Sequence, residues 1–203
     1  NQDQWLKSNY FDPYGAALQE VAFTTDSEQT TEIITAHSDF THELGDASLK
    51  LGAKYSDIKT NTQWGIDNNQ PTGNTSAVFD YQETIYAGYG LYESSWGQWT
   101  LNTGMRYEQT QVNSLSTDTQ SNQDRAYGNW FPNLSLSKQT SEKHNFGLTY
   151  AKKIQRPRYQ SLNPFRYYLN ENNFNQGNPN LVPAIEDKIT LSYTYNNEWF
   201  FEA

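Results

Sequence analysis

Apolar and polar residues alternate with period two along most of this chain. In residues 47–56, Ala47, Leu49, Leu51, Ala53 and Tyr55 share one face, and Ser48, Lys50, Gly52, Lys54 and Ser56 share the other. Residues 81–92 set Ile85, Ala87, Tyr89 and Leu91 against Thr84, Tyr86, Gly88 and Gly90. Residues 98–111 set Trp99, Leu101, Met105 and Tyr107 against Thr100, Asn102, Gly104, Arg106 and Glu108. Residues 129–138 carry Trp130, Leu134 and Leu136 on one face, and 146–150 and 189–195 repeat the pattern before a last strand at Trp199. Alternation of this kind predicts half-buried β-strands. Weaker alternation predicts strands at 20–25 and 32–40, and the remainder of 1–30 reads as a poorly defined lead-in. The pattern predicts one apolar surface holding Leu49, Leu51, Ile85, Leu91, Leu101, Met105, Leu134, Leu136, Leu148 and Leu191. Lys50, Lys54, Asn102, Arg106, Asn133 and Thr190 then share the opposite surface.

The expected connections differ in length. Those at 41–46, 93–97, 139–143 and 196–197 are short, whereas 61–76, 112–127 and 155–186 are long and polar. Outer-membrane barrels have tight turns at one end and longer loops at the other. Strands of this length, tilted, also suit a bilayer. A soluble β-sandwich gives the same period-two signal, but has less reason to sort its loops by length.

The longest connection carries Pro157, Pro164, Pro179 and Pro183, so it is no central strand. Its runs Arg156-Pro157, Leu162-Asn163-Pro164-Phe165 and Gly177-Asn178-Pro179-Asn180-Leu181-Val182-Pro183 resemble a signature of the outer-membrane β-barrel family of TonB-dependent receptors. There a "RRISRP…LNPF…GNPNLKPE" run links two late barrel strands. The likeness covers roughly residues 30–200 and is sharpest over 128–195. One departure is that Ala184 and Ile185 stand between the final Pro and Glu186, where the family usually has Glu directly. The resemblance implies an all-β fold: an antiparallel up-and-down meander of about eight or nine strands, part of a transmembrane barrel of about 22 strands. All of 1–203 then forms one partial-barrel domain, with 155–186 as a long extracellular loop. The resemblance also implies the bacterial outer membrane, with lipid and lipopolysaccharide around the wall. A plug domain of the same parent chain would sit inside, and TonB would act through that parent. The function implied is active uptake of a scarce ligand (siderophore, cobalamin, glycan or peptide). The alternative is a non-transporting β-barrel or β-sandwich module for adhesion or surface structure.

Composition agrees with a wall that is polar on one face. Leu, Ile, Val and Phe make up only about 18% of the chain, and the net charge is −9, which alone would suggest disorder. The 15 Tyr, 10 Phe and 6 Trp argue against that. No apolar run approaches the length of a membrane helix, which a β-barrel does not need. The acidic balance disfavours nucleic acid. There is no Cys, and His37, His42 and His144 have no ligand spacing, so no metal or other cofactor is expected. No catalytic motif appears, and an enzyme is not expected.

The remaining candidate chemistry lies in the long connection and on one strand. Lys152, Lys153, Arg156, Arg158 and Arg166 form a basic cluster without an acid. It reads either as an anion-facing mouth or as a solvated rim paired with carboxylates. Tyr159, Phe165, Tyr167, Tyr168 and Phe174 could stack on a ligand or pack the loop onto itself. The candidate ligand contacts are therefore Arg156, Arg158, Tyr159, Arg166, Tyr167 and Tyr168. Arg106 and Glu108 point to the expected lumen and are candidate plug contacts. Pro157, Asn163, Pro164, Phe165, Gly177, Asn178, Pro179 and Pro183 form a structural loop motif that should be ordered. Restricted prolines, Asn-Pro turns and a Gly177 free to take positive φ support that order.

Overall fold

The computed structural model describes residues 2–68, 75–117, 121–170, 173–196 and 198–203. Among these residues nine strands form one antiparallel sheet: β1 Gln2–Phe11, β2 Ala17–Leu44, β3 Ala47–Asn68, β4 Thr75–Trp96, β5 Trp99–Ser116, β6 Ser121–Ser141, β7 His144–Gln155, β10 Ala184–Tyr195 and β11 Trp199–Glu202. They are ordered as a meander, each beside its neighbour in sequence, except that β10 follows β7. Between those two lie a one-turn helix α1 Tyr159–Leu162 and a hairpin of β8 Arg166–Asn170 and β9 Asn173–Gln176. The expected up-and-down meander is present. β10 starts directly at Ala184, paired with Gln155, so the two residues before Glu186 belong to the strand.

Several boundaries differ from the sequence reading. The lead-in is two paired strands, with Gln2 to Phe11 matched against residues 17–27. Much of the expected polar loops 61–76 and 112–127 is ladder: β3 runs to Asn68, β4 begins at Thr75, β5 ends at Ser116 and β6 begins at Ser121. Residues 69–74 and 118–120 of those loops, and Asn197 of the last turn, lie outside the described residues. The reason is physical. A ladder is held by backbone bonds, and Thr, Asn and Gln extend it wherever both faces meet water. At about 3.3 Å per residue, strands of this length exceed the ~10 residues a bilayer needs. The opposite connections are tighter than expected. Gly45-Asp46 and Gly97-Gln98 alone separate their strands, and Gly45 and Gly97 hold φ of 66° and 56°. Short hairpin turns demand such left-handed positions.

Register sorts the two faces. Phe40, Leu51, Gly90, Met105 and Pro132 share one face, as do Leu101, Leu136, Leu148 and Leu191. Many side chains on this face stand in the open, Leu51, Met105 and Leu191 among them. Aromatic rows edge the aliphatic band: Tyr92, Trp96, Trp99, Phe146 and Tyr193 at the short-turn end, and Tyr55, Tyr86, Tyr107 and Trp130 at the other. This is the lipid-facing surface of an outer-membrane barrel, with its two girdles. The other face holds Lys50, Lys54, Asn102, Arg106, Asn133 and Thr190, as expected.

Strand β4 reverses the expectation. Leu91 pairs with Lys50 and Ile85 with Ser56, so Ile85 and Leu91 face the lumen. Tyr86, Gly88, Gly90 and Tyr92 take the lipid side. In this strand both faces are rich in aromatic or small residues, so alternation carries no sign, and pairing with β3 and β5 decides it.

Candidate functional site

The connector from residue 156 to 183 folds onto the lumen face of the strand extensions beyond the second girdle. Phe165 and Leu162 are buried in one cluster with Ala77, Phe79, Tyr81 and Val112. Phe165 stacks on Trp64 of β3 at 5.6 Å and meets Phe79 of β4 edge-on at 6.5 Å. Tyr159 packs on Tyr81 at 5.6 Å, and Tyr168 meets Phe23 of β2 at 5.3 Å. The Tyr167 hydroxyl lies 3.2 Å from Ser27 Oγ and accepts from Asn163 Nδ2 at 2.8 Å. These contacts reach β2, β3, β4 and β5, so the loop is seated on the wall. Its aromatics supply the apolar area that an isolated loop of about 30 residues would lack.

Internal bonds explain the motif residues. Asn163 Oδ1 accepts from the Phe165 N–H at 3.0 Å, and Asn178 Oδ1 accepts from the Asn180 N–H at 2.9 Å, each an Asx turn around its proline. The Gly177 N–H donates to the Asn163 carbonyl at 2.9 Å, and the Asn178 N–H to the Ser161 carbonyl at 2.7 Å. Gly177 is needed for this approach, since a Cβ there would stand 2.6 Å from the Ser161 carbonyl oxygen. Positive φ is not the reason: among the described residues the glycines with positive φ are Gly15, Gly45 and Gly97.

Two arginines clamp the connector. Arg156 Nε donates to Glu83 Oε1 at 3.0 Å, and its Nη2 donates to Glu108 Oε2 at 2.7 Å and to Thr110 Oγ1 at 3.2 Å. Arg106 Nε donates to the other Glu108 oxygen at 2.6 Å. Both carboxylates are buried. Burial pushes the Glu83 carboxyl up from its ordinary pKa, outweighing the downward pull of Arg156. Burial likewise pushes up the Tyr159 phenol. At the other end, Arg125 of β6 reaches the connector backbone. Its Nη2 donates to the Pro179 carbonyl at 2.6 Å, and its Nη1 to the carbonyls of Asn180 and Leu181 at 3.2 and 3.1 Å. Gln123 donates to the Asn180 side chain.

The second clamp sits where the sheet splits. β6 pairs with β5 along its whole length, but its ladder with β7 begins only at Asn133, opposite Ala151. Pro132 marks the divide. It has no N–H to continue a ladder. Above it, the backbone of Pro179, Asn180 and Leu181 is tied to β6 by the Arg125 side chain.

The expected site residues therefore separate. Arg156, Tyr159 and Tyr167 are engaged with the wall, and Pro164, Asn163 and Phe165 are buried. Arg158 and Arg166 are exposed, with Arg166 lying 4.7 Å over the Phe174 ring, and Tyr168 is half-buried. Arg106 and Glu108 do face the lumen, but Glu108 lies beneath Arg156. Sequence reading missed Glu83, Arg125 and Trp64. Arg125 is the lone base of an otherwise uncharged or acidic stretch over 112–127, a signal that was available. Among the described residues no group of His, Asp or Glu could hold a metal.

Comparison with known proteins agrees with this geometry. The model of the outer membrane protein β-barrel family matches residues 1–203, and the chain belongs to that family. The fold is similar to the crystal structure of the ferric citrate transporter FecA in its unliganded form, with a TM-score of 0.57 and 12% identity. That match covers 88% of this chain and 27% of FecA. A match to the ferric yersiniabactin uptake receptor FyuA from Yersinia pestis covers 87% of this chain and 34% of that one, at 12% identity and a TM-score of 0.38. No curated protein matches by sequence. The chain spans about a quarter of FecA's length, and it is a stretch of the wall of a bacterial outer-membrane β-barrel.

Proposed function

We propose that this member of the outer membrane protein β-barrel family forms part of the wall of a TonB-dependent receptor, and that its connector is a fixed constriction at the outer mouth. The observation that carries the reading is the seating of residues 156–183 on the lumen face between the Arg156 and Arg125 clamps. A segment so placed narrows the passage from the side bearing the longer connections. In the parent protein, Arg106 faces a plug domain, and TonB acts on that plug from the periplasm. Arg158, Arg166 and Tyr168 are placed to meet an incoming ligand, because among the described residues no hydrogen bond or ion pair ties their polar groups to the wall. The cargo is a scarce nutrient such as a siderophore, cobalamin, glycan or peptide; the likeness to FecA supports the architecture and leaves the cargo open.

The test is accumulation of labelled candidate cargoes by cells carrying the full-length protein, with and without TonB. Accumulation that requires both supports the reading. A protein present in the outer membrane that accumulates none of them in either strain supports the non-transporting barrel.

A further inference from the structure

The seam between β6 and the connector encloses a cavity of about 260 Å³. Tyr81, Val112, Arg125 and Tyr127 line it from the wall, and Leu162 and Leu181 from the connector. Its walls are mostly apolar, and Arg125 brings a positive charge to them. The guanidinium is fixed, because three carbonyls of the connector hold its two terminal nitrogens. Its Nε is buried and has no partner. Among the described residues no carboxylate pairs with Arg125. Glu83 also borders the cavity, but its charge is met by Arg156. A half-buried cation with neutral partners only, and one buried N–H left over, calls for an anion.

We infer that the seam cavity binds a small carboxylate with a compact apolar body, the size of one substituted ring. The carboxylate meets Arg125, and the ring lies among Leu162, Leu181, Tyr81 and Tyr127. Pockets for drug-sized ligands measure roughly 300–1,000 Å³, so this smaller volume selects a single ring over a larger molecule. The cavity lies between the wall and the connector, and neither Arg158 nor Arg166 lines it, so it is distinct from the cargo contacts proposed above. The bound acid bridges β6 and the connector.

The experiment uses the full-length protein in detergent micelles, titrated with 4-fluorobenzoate and read by fluorine NMR line width. Saturable binding is expected, displaced by benzoate and not by the neutral benzamide. Leu181→Trp fills the cavity while keeping the backbone carbonyl that Arg125 uses, and should weaken binding at least tenfold. Arg125→Lys keeps a charge but removes Nε, and should weaken it at least fivefold. Absence of saturable binding, equal displacement by benzamide, or unchanged affinity in Leu181→Trp overturns the inference.

Discussion

Arg156 donates its Nη2 hydrogen to Glu108 Oε2 across 2.7 Å, joining the first residue of the connector to a strand 48 positions earlier. The bond is long-range and partly buried, and it shares Glu108 with Arg106. Removing Arg156 leaves the buried Glu83 without an arginine and Glu108 with Arg106 alone. Breaking a buried pair costs about 3–5 kcal/mol when one charge is stranded, and Arg156 keeps some solvent contact, so Arg156→Ala should loosen the connector by ~2–3 kcal/mol. Amide exchange across 156–183 should quicken while the ladder of β3–β5 keeps its protection. Unchanged exchange in the connector would refute the clamp.

The two carboxylates of the clamp are not equivalent. Glu108 serves two guanidinium groups and Glu83 one. Burial already disfavours the charged form of Glu83. Glu83→Gln should therefore cost about 1 kcal/mol or less, and Glu108→Gln roughly 2 kcal/mol, since charged hydrogen bonds are worth about 1.5–3 kcal/mol each and a neutral amide recovers part of that. Limited proteolysis within the connector ranks them, and equal sensitivity of the two variants would contradict the geometry.

Gly177→Ala tests the close backbone approach. The added methyl meets two carbonyls, which cannot swing aside as a side chain can. A cost of about 1–3 kcal/mol is expected, typical of overpacking. The Gly177 and Asn178 amides, bonded to Asn163 and Ser161, should lose exchange protection first.

The assignment of faces predicts opposite outcomes at adjacent positions of β6. Leu134→Arg puts a charge on the lipid face and should destabilise the barrel by about 2–4 kcal/mol near the bilayer midplane. Ser135→Arg points to the lumen and should stay within ~1 kcal/mol, as lumen substitutions are hydrated. Reversible unfolding of the full-length protein in lipid vesicles distinguishes them. Equal costs would mean the register is wrong by one residue.

The sequence carried the strand pattern in most of the sheet because Leu134, Leu136, Leu148 and Leu191 stand against uniformly polar neighbours. It failed in β4, where tyrosine lines both faces and two glycines take the lipid side. It also failed in 61–68 and 112–116, where a polar ladder looks like a loop. The connector's order was legible in its prolines, Asn-Pro turns and aromatics. Its partners were not, because Glu83, Trp64 and Arg125 lie roughly 50 to 100 positions away from the residues they hold. The basic cluster suggested one electrostatic patch, and the fold divided it. Arg156 turns to the wall, and Lys152 and Lys153 fall on opposite faces of β7.

The position of β10 beside β7 bears on how the barrel assembles. Other neighbouring strands meet through turns of a few residues, whereas this pair must close a gap of about 30. Chain entropy makes that closure dearer by roughly 2 kcal/mol than a two-residue turn. A connector that folds early would meet that cost before the strands pair, because in the finished sheet it holds Ala184 beside Gln155, the first rung of that ladder. The loop at the mouth is thus also a jig for the wall. Substitutions that unseat it should delay the appearance of heat-resistant barrel in the membrane, even where the finished protein is as stable as before.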